Sequence, residues 1–281
     1  MSAQITIEQA LAMSADIQSE TPELDVQLLL AHVLQVEPSY FRTWPEKSLS
    51  VEQSQTYRHL LQERLKGRPV AHLTGSRGFW TLDLIVNEST LIPRPDTECL
   101  VEAALDLFAD VEAASVLDLG TGTGAIALAL ASEQRNWTVL GSDLQSDAVL
   151  LARSNAAKNQ IRNVDFVQGS WFDPIDKDAQ FDLIVSNPPY IDENDVHLSQ
   201  GDVRYEPLSA LVAAEHGLSD IKLISKLARS HLKNGAWLIL EHGYDQGDDV
   251  RRILSQFDYE SIETRQDYGS NDRFTIGRFY G

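Results

Sequence analysis

The sequence predicts an α/β protein in which a mostly parallel β-sheet is covered by helices on both faces and preceded by a small helical bundle. From Ser115 onward, short apolar runs alternate with segments of helical periodicity, a pattern typical of parallel sheets with helices packed on them. Residues 1–75 instead carry apolar residues three and four positions apart, which indicates helices. The strand-like runs are, in chain order, SVLDLG, WTVLGSD, VDFVQG, FDLIVSN, AWLILEH, YESIET and RFTIGRFY.

Composition narrows the class of protein. The chain has 281 residues, 43% of them hydrophobic, and a formal net charge of −19 with no basic stripe, which disfavours free nucleic acid as the main partner. No apolar stretch approaches the ~20 residues that span a bilayer, and the N-terminal residues lack the features of a secretory signal. The single cysteine, Cys99, suits a reducing compartment. We therefore expect a cytoplasmic protein without a membrane partner.

Capping residues define the predicted helices of the N-terminal segment. Thr6 precedes the first helix, and Thr21 followed by Pro22 supplies an N-cap and a first-turn proline for the second. Ser50 and Gln53 have the spacing of a capping box ahead of a third helix. Since this segment has no glycine-rich loop or metal-ligand spacing, it is interpreted as a packing or recognition module.

The domain boundaries follow from changes in periodicity. Residues 1–75 are predicted to form the helical domain and residues 76–92, which alternate in polarity, a β-hairpin linker. Residues 93–281 are then the α/β domain, whose first helix is predicted to open at Asp96 or Thr97.

A glycine-rich loop follows the strand SVLDL and opens the helix AIALALASE. Its glycines lack the Cβ atoms that would obstruct a tight turn and a ligand touching the backbone, and the helix behind them presents free N–H groups. Such a turn by itself is equally compatible with simple packing of a helix on a sheet. The loop consists of Gly120, Thr121, Gly122, Thr123 and Gly124.

Acidic and aromatic residues near the strand ends favour a nucleoside ligand for this loop. Asp118 precedes the first glycine by two positions, and Asp143 ends the next strand about 20 residues on, where an acid accepts hydrogen bonds from ribose hydroxyls. The G-x-G-x-G spacing differs from the dinucleotide fingerprint and suits a nucleoside whose 5′ end carries an amino acid. Ser170 and Trp171 end the third strand, where the indole either stacks on a purine or serves as a core or lid residue.

The fourth strand ends in the tetrapeptide Asn-Pro-Pro-Tyr. Pro188 restricts Asn187 to extended geometry, and the Asn187 amide oxygen and the Pro188 carbonyl are two acceptors that suit the two hydrogens of an –NH2 group. Tyr190 adds an aromatic face for a planar group. Acceptors fixed in this way stabilise a nitrogen that becomes pyramidal as it attacks, and a sulfonium methyl is a suitable electrophile. The motif therefore predicts a clamp for an amide or exocyclic amine; the alternative is a simple strand terminator.

Several motifs together resemble a known family. The segments DLGTGTGAIALALA, GSWFD and FDLIVSNPPYI are similar to class I S-adenosylmethionine-dependent methyltransferases. PRPDTE, YEP, LEHGYDQG and DYGSNDR extend the resemblance to the protein-(glutamine-N5) methyltransferases that modify peptide chain release factors, over most of residues 70–281. The helical N-terminus resembles that family's substrate-recognition domain with less specific motifs.

The resemblance implies fold, substrates and residue roles. It implies a seven-stranded sheet with an antiparallel last strand, S-adenosyl-L-methionine as methyl donor, and the glutamine of the Gly-Gly-Gln motif of class 1 release factors as acceptor, in an enzyme that acts as a monomer. Asn187 would contact both donor and glutamine, with Pro188 and Tyr190 as further catalytic residues and Pro189 in the substrate slot. The implied cofactor-binding residues are Gly120, Thr121, Gly122, Thr123, Gly124, Asp143, Trp171 and Asn187.

Other polar residues in the matched motifs are given structural roles or left open. Asp96 is either a helix cap or a ligand contact, and the same choice applies to Arg94 and Glu98. Glu206 is expected to brace the loop after the clamp. Glu241, followed by His242, is not interpreted as a general base, because no base must act before methyl transfer. The histidines show no metal-ligand spacing, so no metal is expected.

Two other functions remain possible from the sequence. An N-methyltransferase acting on exocyclic amines of DNA or RNA bases would use the same tetrapeptide, although the net charge of −19 disfavours it. A binding or scaffold protein with a decayed methyltransferase fold would be expected to have lost the loop glycines, Asp143 or Asn187, all of which are present.

Overall fold

A computed structural model describes residues 4–199 and 201–281. The helices are α1 (Ile7–Leu11), α2 (Pro22–Leu34), α3 (Ser39–Thr43), α4 (Val51–Leu65), α5 (Val70–Thr74), α6 (Glu98–Leu107), α7 (Ala125–Glu133), α8 (Ser146–Lys158), α9 (Ala214–Gly217), α10 (Ser219–Ala228) and α11 (Gly247–Gln256). The strands are β1 (Ser76–Phe79), β2 (Leu82–Ile85), β3 (Ser115–Leu119), β4 (Thr138–Asp143), β5 (Val164–Gln168), β6 (Phe181–Ser186), β7 (Leu232–Glu241), β8 (Tyr259–Gln266) and β9 (Asp272–Phe279). Short 3₁₀ turns occupy Ala12–Asp16, Pro95–Thr97, Val196–Ser199, Val203–Tyr205 and Leu208–Ala210.

The chain divides into two compact units. One comprises Met1–Ser76 and Val196–Tyr205, and the other comprises Arg77–Asp195 and Glu206–Gly281. The segment Val196–Tyr205 therefore groups with the helices, an arrangement that the continuous assignment of residues 93–281 did not include. Within the described residues, no helix is long and apolar enough to cross a bilayer.

The helical unit is held by its own apolar core and by a buried ion pair. Leu29 and Leu30 of α2 and Tyr57 of α4 are completely buried in this core. The Arg64 guanidinium donates to Asp25 and to Asp202, each at 2.7 Å, and thereby attaches the segment Val196–Tyr205 to α2 and α4. A buried charged pair of this kind is costly to break, because removing one partner leaves the other charge unpaired.

The sheet unit contains seven strands in the order β5-β4-β3-β6-β7-β9-β8. Strands β3 to β7 pair in parallel, and β9 runs antiparallel to both of its neighbours. The predicted mostly parallel sheet, with its antiparallel last strand, is confirmed. After β5 the chain returns to the other side of β3, so the strand order reverses between β3 and β6, and the crevice at such a point is where open α/β sheets bind ligands.

Both faces of the sheet are buried, as the continuous apolar runs predicted. Val116 of β3 packs in the cluster that contains α6 and α7, whereas its neighbour Leu117 packs in the cluster that contains α10 and α11. Side chains alternate between the two faces of a strand, so helices cover both sides. The two central strands thereby become rigid supports for the loops at their carboxyl ends.

The helix caps agree only in part with the sequence predictions. Thr6 and Ser50 both form capping boxes, with Gln9 and Gln53 respectively, as predicted for Ser50 and Gln53. Thr21 and Pro22 occupy the predicted N-cap and first-turn positions, but the Thr21 backbone lies outside the extended region (φ −134°, ψ 59°) and its side chain makes no capping bond.

The first helix of the α/β domain begins where the sequence predicted, with Thr97 at its N-cap position. A 3₁₀ turn over Pro95–Thr97 leads directly into α6, and the Thr97 side chain makes no capping bond. The Asp96 carboxylate instead lies 3.8 Å from Arg273 of β9. Thr97 is thereby free to make the contacts with the active site described below.

Candidate active site

A cavity of about 260 Å³ lies at the carboxyl ends of β3, β4, β5 and β6, next to the point of strand reversal. Both predicted halves of the site contribute to its wall. The predicted site residues that line it are Gly120, Thr121, Gly122, Thr123, Asp143, Trp171, Asn187 and Pro189. Gly124, Pro188 and Tyr190 are not among the lining residues, but the structure brings the glycine loop and the tetrapeptide together at one cavity.

The glycine loop is shaped by backbone conformations that favour glycine. Gly120 has φ 70° and Gly124 has φ 83°, both in the left-handed region. A Cβ atom on Gly124 would lie 3.0 Å from the Leu128 side chain and 3.2 Å from Ala152, so the loop packs tightly against α7 and α8. The N–H groups of Gly120 and Thr121 both donate to the Ser142 carbonyl at 2.9 Å, which attaches the loop to β4.

Asp118 holds the loop and the helix α7 together from below. It is 1% exposed, and one carboxylate oxygen accepts from the Thr121 hydroxyl at 2.6 Å and from the Ala127 N–H at 3.2 Å. The second of these bonds satisfies one of the N–H groups left free at the start of α7. Burial raises the pKa of Asp118 to about 7. Ala125 and Ile126, the first two residues of α7, line the cavity.

Asp143 is oriented by two backbone donors. One oxygen accepts from the Gly122 N–H and the other from the Gln145 N–H, both at 2.9 Å. Burial raises the pKa of this carboxyl group above its usual value. Each carboxylate oxygen has a further lone pair, so the group retains acceptors for a pair of hydroxyls on a ligand.

Trp171 forms the wall of the cavity beside the glycine loop. Its backbone is left-handed (φ 44°), and its carbonyl accepts from the Ser142 hydroxyl at 3.2 Å. A Cβ on Gly120 would lie 3.4 Å from Cζ3 of the indole, so the ring extends along the loop. The position is compatible with stacking on a planar ligand, and Ser170 lines the cavity next to it.

The tetrapeptide is supported by residues from distant parts of the chain. The Asn187 Nδ2 donates to the Thr97 hydroxyl oxygen at 3.4 Å, while its Oδ1 has no donor among the described residues. The Tyr190 hydroxyl donates to Glu241 at 3.4 Å, and the Tyr190 carbonyl accepts from the Gln246 side chain at 3.0 Å. These contacts leave one acceptor of the Asn187 carboxamide unused in a side chain that lines the cavity.

Glu241 is the last residue of β7, and His242 follows it. Glu241 is 1% exposed, and burial raises its pKa to about 7, although the hydrogen bond from Tyr190 and the charge of Arg273 oppose the rise. His242 lies against Thr275, whose hydroxyl donates to Nε2 at 2.8 Å while Nδ1 donates to the Gly243 carbonyl. Burial lowers the pKa of His242, so it is a neutral structural residue.

Two acidic residues whose roles the sequence analysis did not decide, Glu206 and Glu98, accept hydrogen bonds from other residues of the fold. Glu206 is buried and accepts two hydrogen bonds from Arg94, the shorter at 2.7 Å, and one from the Ile92 N–H at 3.3 Å. Glu98 accepts from the Trp80 N–H at 2.8 Å and so fixes the turn between β1 and β2. Arg94 lines the cavity, which places one positive charge in its wall. Glu206 thus braces a wall of the cavity across the fold.

Thr97 is the residue of the site that sequence reasoning missed. It was considered only as a cap, and no local signal distinguishes it, since its partner Asn187 is 90 positions away. The Pro-Asp-Thr turn ahead of α6 brings its hydroxyl to the tetrapeptide. Its place within the recognised motif PRPDTE is the signal that could have suggested it.

The sheet order and the two loops define the class of protein. A seven-stranded sheet with one antiparallel strand carries a glycine-rich loop after β3 and the Asn-Pro-Pro-Tyr tetrapeptide after the adjacent β6, and both line one cavity. This is the arrangement of a class I methyltransferase. Family models support it: the model of the PrmC N-terminal domain matches residues 6–75, and a methyltransferase domain model matches residues 110–268.

Comparisons with solved structures support the fold. A methyltransferase from Pyrococcus furiosus is 18% identical, with a TM-score of 0.55 over 79% of this chain and 96% of that one. A Thermus thermophilus 16S rRNA N2 G1207 methyltransferase in complex with AdoMet and guanosine is 18% identical, with a TM-score of 0.53 over 72% of this chain and 49% of that one. At these identities the likeness concerns the fold alone.

Curated relatives define the family. Release factor glutamine methyltransferases from Vibrio cholerae and Aliivibrio fischeri are 54% and 53% identical, covering 98% and 93% of this chain and 97% and 92% of their own lengths. The Escherichia coli protein of the same name is 50% identical over 93% of this chain and 94% of its own. The chain belongs to the release factor glutamine methyltransferase family, as the sequence motifs predicted.

Proposed function

We propose that this enzyme transfers a methyl group from S-adenosyl-L-methionine to the side-chain amide nitrogen of the glutamine in the Gly-Gly-Gln motif of class 1 release factors. The observation that carries the proposal is the Asn187 carboxamide: its Nδ2 is occupied by Thr97, and its Oδ1 has no donor in the wall of the cavity that also contains the glycine loop. A primary amide supplies the N–H donor that this oxygen lacks.

The residues around the loop fit S-adenosyl-L-methionine. The free N–H groups of Ala125 and Ile126 at the start of α7 suit a carboxylate, and Asp143 suits a pair of ribose hydroxyls. Trp171 offers a flat face for adenine. When bound, the cofactor supplies an electrophilic methyl group on a positively charged sulfur. The cavity residues Gly120–Gly124, Asp143, Trp171 and Asn187 are the proposed binding set.

The clamp residues then act on the nitrogen of the substrate. An amide nitrogen is a weak nucleophile, because its lone pair is delocalised into the carbonyl. Asn187 Oδ1 and the Pro188 carbonyl are proposed to accept its two N–H bonds, which favours the pyramidal nitrogen of the transition state over the planar ground state. Pro188 is buried, and the rigid Pro-Pro sequence keeps the two acceptors in fixed positions. Tyr190 and Pro189 are proposed to shape the slot for the glutamine side chain.

The substrate assignment rests on the family. The relatives are named for release factor glutamine, and they match this chain over both the helical segment and the sheet segment. We infer that the helical domain, residues 1–75, recognises the release factor, that residues 76–92 link it to the catalytic domain of residues 93–281, and that the enzyme acts as a monomer in the cytoplasm. Direct binding of nucleic acid is not part of this proposal.

The test is a methylation assay with paired substrates. Purified class 1 release factor and stripped ribosomal RNA are incubated separately with the enzyme and radiolabelled S-adenosyl-L-methionine, and a release factor carrying alanine in place of the Gly-Gly-Gln glutamine is the control. We expect label in the intact release factor and none in the control. Label confined to RNA would instead establish the exocyclic-amine function.

A further inference from the structure

We propose that Asp220 is a specificity residue whose negative charge, at the tetrapeptide end of the cavity, favours the cationic methyl donor over its neutral product. The inference rests on the proposed function in one respect, namely that S-adenosyl-L-methionine is the donor. Asp220 belongs to α10 and lines the cavity outside both the glycine loop and the tetrapeptide. The basis of the inference is the charge balance of the cavity wall and the place of α10 beside the tetrapeptide.

The ionisable side chains of the cavity wall differ in how their charges are balanced. Among the described residues that line the cavity, these side chains are Arg94, Asp143 and Asp220. The Arg94 guanidinium is paired with the Glu206 carboxylate at 2.7 Å, and Asp143 accepts from two backbone N–H groups, both at 2.9 Å. The Asp220 carboxylate has no hydrogen bond or ion pair within the described part of the chain. Asp220 therefore supplies the uncompensated charge of the wall.

The environment of Asp220 makes this charge costly without a partner. The residue is half-buried, and burial raises the pKa of its carboxyl group above the usual value, with no neighbouring donor or cation to oppose the rise. An acid in the first turn of a helix is commonly explained by the helix dipole. The Asp220 side chain, however, makes no bond to the N–H groups at the start of α10 among the described residues. A partly desolvated carboxylate of this kind is stabilised by a cationic ligand.

The backbone attaches the start of α10 to the tetrapeptide. Gly217, just before α10, has φ 82°, and a Cβ atom at this position would overlap the Tyr190 carbonyl oxygen. The Gln246 side chain donates to the carbonyl groups of both Tyr190 and His216, each at 3.0 Å. These contacts hold the first turn of α10 against the tetrapeptide, so Asp220 enters the cavity at the end where the methyl group is proposed to be transferred.

A charge at that end distinguishes the donor from the product. S-adenosyl-L-methionine and S-adenosylhomocysteine differ in one methyl group and in one positive charge on sulfur. Their adenine, ribose and amino acid groups are the same, so the glycine loop, Asp143 and Trp171 offer both molecules the same contacts. A carboxylate near the sulfur attracts the sulfonium and not the neutral thioether. Asp220 therefore strengthens binding of the donor relative to the product and reduces inhibition by the product.

The first experiment is calorimetry on the full chain and needs no release factor. The wild type and Asp220→Asn, which removes the charge but keeps the shape, are titrated with S-adenosyl-L-methionine, S-adenosylhomocysteine and sinefungin. Sinefungin carries a protonated amine where the donor carries its sulfonium methyl. We expect the dissociation constants of the two cationic ligands to rise about 10-fold, between the effects of exposed and buried ion pairs, and that of S-adenosylhomocysteine to change less than about twofold.

Two control variants separate charge recognition from other roles of an acid. Asp147 is an exposed acid in the first turn of α8, so Asp147→Asn should leave all three dissociation constants unchanged. Asp143 is proposed to bind the ribose that the three ligands share, so Asp143→Asn should weaken all three by similar factors. A role of Asp220 confined to helix stability would lower the unfolding temperature of Asp220→Asn and leave the ratios of its dissociation constants as in the wild type.

The second experiment measures product inhibition during methylation of release factor. In Asp220→Asn we expect the KM for S-adenosyl-L-methionine to rise about 10-fold, while the inhibition constant of S-adenosylhomocysteine stays within about twofold of the wild-type value. The product then competes with the donor at lower concentrations than in the wild type. An unchanged ratio of the two constants would overturn the inference.

The outcomes of the binding experiment are distinct from those of the proposed function. A selective loss of the cationic ligands in Asp220→Asn, with a wild type that methylates no release factor, supports the inference and rejects the proposed acceptor. An equal loss of all three ligands overturns the inference, because the carboxylate would then contact a group that donor and product share. Unchanged affinities for all three overturn it too. A wild type that binds none of the three rejects the proposed donor and the inference with it.

Discussion

The two ends of the cavity are built in different ways. At the cofactor end, positions are set by the backbone: Gly120 and Thr121 bond to the Ser142 carbonyl, and Asp143 is held by backbone N–H groups. At the clamp end, Asn187 bonds to the side chain of Thr97 and Tyr190 to that of Glu241, both from distant parts of the sequence. The comparison shows that the geometry of the cofactor end is a local property of one strand-loop-helix unit, whereas the geometry of the clamp end depends on the tertiary fold.

The largest expected effect is a loss of turnover, without loss of cofactor affinity, when Asn187 at the clamp end is replaced. Asn187→Ala removes the clamp acceptor, so we expect kcat to fall about 10³-fold, the range found for loss of a group that acts chiefly on the transition state. The dissociation constant for S-adenosyl-L-methionine, measured by calorimetry, should change only a few-fold. Asn136→Ala, at an exposed position between α7 and β4, is the control. Normal turnover in Asn187→Ala would refute the clamp.

At the cofactor end, we expect a substitution to weaken cofactor binding more than it lowers kcat. Asp143→Ala removes the ribose acceptor and the partner of the Gly122 N–H, so the dissociation constant for S-adenosyl-L-methionine should rise about 100-fold, while kcat at saturating cofactor falls much less. The exposed Asp147→Ala, in the first turn of α8, should change neither constant. A selective loss of kcat in Asp143→Ala would contradict the division between the two ends.

A third effect concerns stability and pH. The pKa of Asp118 is about 7 in the folded protein and 3.8 ordinarily, so the folded state binds the proton more tightly. Its contribution to stability is therefore full below about pH 4 and declines as the pH rises through 7. Asp118→Asn should gain stability relative to wild type between pH 4.5 and 8, by up to about 4 kcal/mol.

Thermal unfolding of both proteins across this pH range measures the difference. The exposed Asp110→Asn is the matched control, and its difference from wild type should stay constant with pH. A difference for Asp118→Asn that is equally constant, or that shrinks as the pH rises, would show that the buried carboxyl is not destabilised by its charge.

The smallest expected effect is on cofactor affinity when the indole of Trp171 is replaced by a smaller ring. Trp171→Phe keeps an aromatic face beside Gly120 but reduces its area, so the dissociation constant for S-adenosyl-L-methionine should rise about two- to fivefold. Trp171→Leu, which removes the aromatic face, should raise it further. Equal affinities in the two variants would indicate that the ring is a packing residue and does not stack on the ligand.

The contrast between local and distant interactions also explains which features the sequence could predict. The glycine loop, Asp143 and the tetrapeptide follow strands whose apolar runs are visible in the chain, and the parallel sheet brings those strand ends together. Thr97 follows no such strand, and its contact with Asn187 depends on the turn before α6. The ion pair between Arg64 and Asp202, 138 positions apart, also has no local sequence pattern that predicts it.

Backbone conformation at the N-cap explains why the predicted capping residues behave differently. Ser50 and Thr21 are both common capping residues, but only Ser50 has the extended backbone that directs its side chain at the helix N–H groups. Residue type alone therefore predicted both N-cap positions but not which side chain makes the capping bond. The same limit applies to Asp96, which pairs across the fold with Arg273.

The most direct test of the central claim, that one cavity brings a sulfonium donor to an amide clamp, is a crystal structure with S-adenosylhomocysteine. The account predicts the adenine beside Trp171, the ribose hydroxyls on Asp143, the carboxylate at the start of α7 and the sulfur facing the Asn187 carboxamide. An adenosyl group bound away from the glycine loop, or a sulfur directed away from Asn187, would contradict it.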